Sequence, residues 1–137
     1  MTTLARYPVT VPLENLGRME IIREDGSRDV YELTYTLVPP ETEDGEAETV
    51  VTCRKNGEEL EYKVFEAFYE RWLTVDVSGQ LPEGWEKKET QTTYVFQTLS
   101  GRTQTVELSP FDAMHDAVTV DGQTLFYLIK NGMGDQP

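Results

Sequence analysis

His115 is the only histidine in the chain, and Asp112 and Asp116 flank it. An imidazole beside carboxylates can move protons, and Ser109 lies six residues upstream as a candidate nucleophile. A Ser-His-Asp site needs side chains that converge in space, however, and nearness along the chain does not supply that. No nucleophile-elbow pattern occurs. The reading is therefore that no residue is catalytic, with His115 in an exposed turn. A hydrolase or other enzyme built on His115, Asp112 and Asp116 stands as the alternative. Cys53 is the only cysteine, which excludes an internal disulfide. It reads as a small buried hydrophobe in a strand, because no base that would form a thiolate is evident nearby.

Trp85 stands in a Gly- and Pro-rich stretch, SGQLPEGWE. It either plugs an end of the core or offers an exposed ring to a sugar, and the second option makes the chain a carbohydrate-binding module. Five acids fall between Glu41 and Glu48 with no base among them. Glu41, Glu43 and Asp44 lack the alternating oxygen ligands and closing Glu of a calcium loop, so no metal site is expected. No Gly-rich phosphate loop follows any apparent strand, so no cofactor is expected either. The net charge is −13, and it would still be −8 without the acidic stretch. Such a surface repels phosphate backbones and anionic membranes, which argues against nucleic acid as a partner. No apolar run approaches ~18 residues, and no signal peptide is evident, so no membrane span is expected.

Positioning any of these groups falls to one helix and a set of strands. Phe65, Phe68, Tyr69, Trp72 and Leu73 recur at helical spacing, while Lys63, Glu66, Glu70 and Arg71 fall mostly opposite. The spacing predicts an amphipathic helix over about residues 62–74. Glu61 is a poor N-cap and aromatic residues are mediocre helix formers, so packing must hold the helix. Its stripe reads as core. Tyr31, Leu33, Tyr35 and Leu37 alternate with polar residues along Arg28–Val38, predicting a strand with one buried face.

Further strands are expected at Arg18–Glu24, Thr49–Lys55, Glu58–Leu60, Thr90–Leu99, Arg102–Ser109, Ala117–Val120 and Gln123–Lys130. Hairpin-type turns are expected at Asp25, Asn56, Ser100 and Asp121, those before Gly26, Gly57 and Gly122 being of type I′. Gly17 reads as a break before the first strand, and Ser78–Glu86 as a loop. Apolar residues on both faces of Gln123–Lys130 place that strand centrally or between layers. Exposed edges at Val50–Lys55 or Arg18–Glu24 would invite pairing between chains. The fold class is α+β: a mainly antiparallel sheet of hairpins and a C-terminal meander, covered by the one helix. Residues 1–137 form a single domain, with a core over about 14–130, an acidic loop at 39–48 and a frayed tail at 131–137.

Three runs in order, LGRMEIIREDGSRDVYELTY, VTCRKNGEELEYKVFEAFYERWLTV and TTYVFQTLSGRTQTVELSPFDAMHDAVTVDGQTLFYLIK, together resemble the bacterial domain-of-unknown-function family 4340. The resemblance covers roughly Glu14 to Lys130 and rests on turns and apolar spacing. Many members lie in longer, membrane-tethered bacterial proteins, some encoded near transporter components of gliding or export systems. The resemblance implies an extracytoplasmic, cell-surface location and a non-enzymatic binding or assembly module. Its partner would be a protein or a cell-envelope component, and the family supplies no catalytic residues.

Overall fold

The computed structural model describes residues 11–73, 77–86, 89–90 and 92–130. The chain is α+β, with one antiparallel sheet and one helix. The strands are β1 (Leu16–Arg23), β2 (Arg28–Val38), β3 (Glu48–Lys55), β4 (Glu58–Leu60), β5 (Val77–Gln80), β6 (Thr92–Thr98), β7 (Thr103–Pro110), β8 (His115–Val120) and β9 (Gln123–Lys130). Helix α1 (Tyr62–Leu73) lies between β4 and β5. The strand order is β4-β3-β2-β1-β6-β7-β8-β9-β5.

Cross-strand partners share a face of the sheet. Met19 is paired with both Tyr31 and Phe96, and Tyr94 with both Ile21 and Val106, so these residues line the inner face. The helix lays Phe65, Phe68, Tyr69 and Trp72 onto it, all buried. Phe65 meets Tyr31 of β2 at 5.2 Å between ring centroids, and Trp72 meets Tyr94 of β6 at 4.3 Å. The helix thus crosses β1. Four large buried side chains at roughly 2 kcal/mol each outweigh the weak capping at Glu61, where only the main-chain carbonyl receives Val64 and Phe65.

The sheet must curl. Nine strands span about 38 Å when laid flat. The helix that links the two edge strands has 12 residues and is about 18 Å long. Cys53 of β3 and Ile129 of β9, near opposite ends of the strand order, are nevertheless buried in one core cluster. Thr90 donates its hydroxyl to Glu107, an outward residue of β7, at 3.1 Å. The outward Ser109, Ala117, Thr119 and Leu128 are buried along this part of the sheet.

Several expectations are corrected. Arg18–Glu24 is no edge: β1 lies between β2 and β6. Gly17 does not precede the strand but sits inside β1 at a bulge, where an added Cβ would approach Leu99 to 3.3 Å. Ser78–Gln80 is strand rather than loop, because it pairs along β9. β9 is accordingly one strand in from the edge, with Leu128 and Ile129 both buried.

Asn56-Gly57 and Asp121-Gly122 have positive φ at both residues, as a type I′ turn requires. Asp25-Gly26 differs. Only Gly26 has positive φ, the Gly26 amide donates to the Arg23 carbonyl at 2.9 Å, and the Asp25 carboxylate takes the Ser27 amide at 2.8 Å. A three-residue loop with a left-handed Gly results, and Asp25 spends its side chain on the turn. In the N-terminal segment, Leu13–Asn15 is a short 3-10 turn and Val11 is buried. Residues 1–10, the tail at 131–137 and Thr74 lie outside the described residues.

Candidate functional site

His115 does not sit in the turn but opens β8. The turn before it is made by Asp112. Its Oδ1 accepts the Met114 amide at 2.8 Å and the His115 amide at 2.7 Å. The His115 carbonyl receives the Phe111 and Asp112 amides at 3.1 and 3.2 Å. The same Oδ1 lies 3.0 Å from His115 Nδ1. The hydrogen bond from the Met114 amide, with those from His115, holds the Asp112 carboxyl below its ordinary range against the opposing effect of desolvation. The chain therefore folds here because an Asp can close a tight turn on the following amides, and the imidazole contact comes with that closure.

Asp116 does not join them. It pairs with Ile129 and shares the face of Val118, whereas His115 shares the opposite face with Ala117. The Asp116 carboxyl is buried, and burial pushes its pKa up, helped by the charge of Asp112. Ser109 is buried beside Ala117. The three sequence candidates thus reduce to a His115–Asp112 pair. That pair can orient an imidazole.

Trp85 is half-buried. Its ring lies 6.3 Å from Phe111, and its amide closes a turn onto the Pro82 carbonyl at 3.2 Å. Cys53 is buried among core side chains, and burial pushes its thiol up to about 11. Among the described residues, no group of His, Cys, Asp and Glu is arranged to hold a metal ion. None of the described helices is long and apolar enough to cross a membrane.

Two further features went unseen in the sequence. The first is an ionic cluster where β1, β2 and β3 meet. Arg23 Nη2 lies 2.5 Å from Asp29 Oδ2, Lys55 Nζ 3.9 Å from the same oxygen, and Asn56 Nδ2 2.9 Å from Oδ1. Asn56 Oδ1 also accepts the Val30 amide at 2.8 Å, so a turn residue stitches β2 to the cluster. Burial works to raise the Asp29 carboxyl. The hydrogen bonds from Arg23 and Asn56 and the Lys55 charge outweigh it, and the group is held below its ordinary range.

The second feature is a ribbon. β2 and β3 stay paired out to Val38 and Glu48, well past the core. Inward residues go from buried Tyr31 and Leu33, through half-buried Tyr35, to Leu37 at 68% exposure. Val38 and Val50 are exposed on the other face. The acidic stretch 39–48 caps this ribbon and contributes Glu48 to β3. It encloses a shallow depression of about 480 Å³ lined by Val38, Pro40, Glu41 and Glu46 among others. A second, of about 450 Å³, lies at the β6–β7 turn beside Asn15 and Leu99.

Periodicity could have signalled the ribbon only through its length, since β2 has 11 residues and is longer than any other strand. No family model, curated protein or solved structure matches this chain.

Proposed function

We propose that the chain is a non-enzymatic binding or assembly module working on the outside of a bacterial cell, with a protein or a cell-envelope polymer as partner. The observation that carries this reading is the β2–β3 ribbon. It holds Leu37, Val38 and Val50 in water at 68%, 41% and 43% exposure, on paired strands that project beyond the core. Leu37 stands on one face of the ribbon and Val38 and Val50 on the other, and apolar side chains held in water at the end of a projecting ribbon favour contact with another molecule. In this reading the hairpins and C-terminal meander, under an amphipathic helix over about 62–74, form a stiff base that presents the ribbon. The resemblance to family 4340 supports the extracytoplasmic location and a membrane-tethered parent protein.

The test is to shorten the ribbon. Residues 37–49 are replaced by a two-residue Asn-Gly turn, and the variant is compared with the parent for capture of envelope components and for envelope integrity in the producing cell. Loss of capture with an unchanged thermal melt supports the reading. Equal capture by both proteins, or a normal envelope after deletion of the gene, counts against it.

A further inference from the structure

β4 covers only part of β3. Its three residues pair with Cys53, Arg54 and Lys55, and among the described residues Glu48–Thr52 has no strand neighbour on that side. Antiparallel geometry tells which groups are left open. Lys55 and Glu58 flank the Asn56-Gly57 turn, so the Lys55 amide and carbonyl point toward β4. The direction alternates along a strand. The Asn56 amide accordingly points the other way and donates to Val30 of β2 at 2.8 Å. Cys53 then faces β4, and the main-chain groups of Val51 and Thr49 face the open edge.

We propose that this edge accepts an extended, basic segment of a partner protein as an added antiparallel strand. Such an edge presents ready hydrogen-bonding groups to a visiting strand, and the side chains beside it set the preference. Those side chains choose the charge. Glu48 lies on the open stretch itself, and Glu41, Glu43, Asp44 and Glu46 lead into it with no Lys or Arg from Leu37 to Cys53, whereas Glu32 of β2 is paired with Arg54. A second copy of this chain would bring the same acids and a net charge of −13 against them, which disfavours self-pairing. A Lys- or Arg-bearing strand meets complementary charge and gains the main-chain bonds. This inference rests on the reading of the chain as a binding module and names the chemistry of its partner.

The experiment is calorimetric titration of the full chain with a short blocked peptide of alternating Lys and Val. A counterpart with Glu in place of Lys is the control, and amide shifts are followed by NMR. Binding of the Lys peptide that weakens with salt, with shifts confined to the Glu48–Thr52 edge, is expected. No binding of the Glu peptide is expected.

Thr49→Pro removes an amide that faces the open edge and no bond to β2, so it should keep the fold and weaken binding about tenfold or more. Thr49→Ala should bind as the parent does. If Thr49→Pro fails to fold, Glu46→Lys with Glu48→Lys serves instead and should invert the preference between the two peptides. Failure of the Lys peptide to bind, unaltered binding by the variants, or dimerisation through this edge overturns the proposal. Such a failure with ribbon-dependent capture intact sinks the added strand alone, whereas loss of both sinks the module reading.

Discussion

The hydroxyl of Tyr69 donates to the main-chain carbonyl of Val11 at 2.6 Å, joining residues 58 positions apart. Both residues are buried, and burial pushes the Tyr69 hydroxyl far above the ordinary tyrosine pKa. Nearby, Tyr35 donates to the Leu13 and Leu16 carbonyls at 2.9 and 2.8 Å. Two tyrosines from different elements thus satisfy main-chain carbonyls of the segment that leads into β1, in which the described residues form no strand before Leu16. The aromatic stripe of α1 therefore does more than fill volume, because one of its members fixes where the chain enters the sheet.

Tyr69→Phe keeps the ring and leaves the buried Val11 carbonyl without its donor. An unsatisfied buried group costs about 1–3 kcal/mol, so the urea midpoint should fall by a corresponding amount with little change in slope. Tyr35→Phe should cost less, since Tyr35 is half-buried and water can replace its donor.

Trp72 gives a different balance. The ring is fully buried against Tyr94 and Phe96, yet its Nε1 has no hydrogen-bond partner among the described residues. Trp72→Ala should cost about 3–5 kcal/mol through the cavity it leaves. Trp72→Phe removes the unsatisfied donor along with part of the ring. Its cost in chemical denaturation should be under half that of the Ala variant.

These residues mark how far the sequence could be read. The α1 stripe was legible because helical period and burial coincide at Phe65, Phe68, Tyr69 and Trp72. The turns at Asn56 and Asp121 were legible because positive φ at successive residues restricts composition. The hydrogen bond from Tyr69 to Val11 was not, since nothing local pairs residues so far apart. The ribbon was hidden for a related reason. Alternation in β2 continues past Tyr35, but whether Leu37 is covered depends on where the rest of the sheet ends. The His115 cluster broke up because neighbouring residues on a strand face opposite sides, which separates Asp116 from Asp112 and His115.

Cys53 is the convenient reporter of opening. It is 1% exposed, and burial raises its thiol from 9.0 to about 11. The smaller thiolate fraction alone slows reaction about a hundredfold at mildly alkaline pH, and steric cover adds to this. A thiol reagent should label the native protein slowly and the urea-unfolded protein at the rate of a free cysteine. Prompt labelling of the native state would place Cys53 outside the core.

The carboxyls of Asp29 and Asp116 respond to pH in opposite directions. Asp29 is depressed in the fold, so its contribution is present in full above the ordinary value of 3.8 and is lost as pH falls through the folded value. Asp116 is raised, so ionising it in the fold is unfavourable. The stability associated with its protonated form is present below 3.8 and fades as pH rises through the folded value. Asp29→Asn should therefore cost about 1–3 kcal/mol at neutral pH, where it loses charge-assisted bonds to Arg23, and progressively less in acid. Asp116→Asn should stabilise at neutral pH, with the gain vanishing below 3.8. Urea midpoints of the two variants measured from acid to neutral pH decide the matter. Parallel rather than converging curves for Asp116→Asn would show that its carboxyl is not buried against Ile129 and Val118.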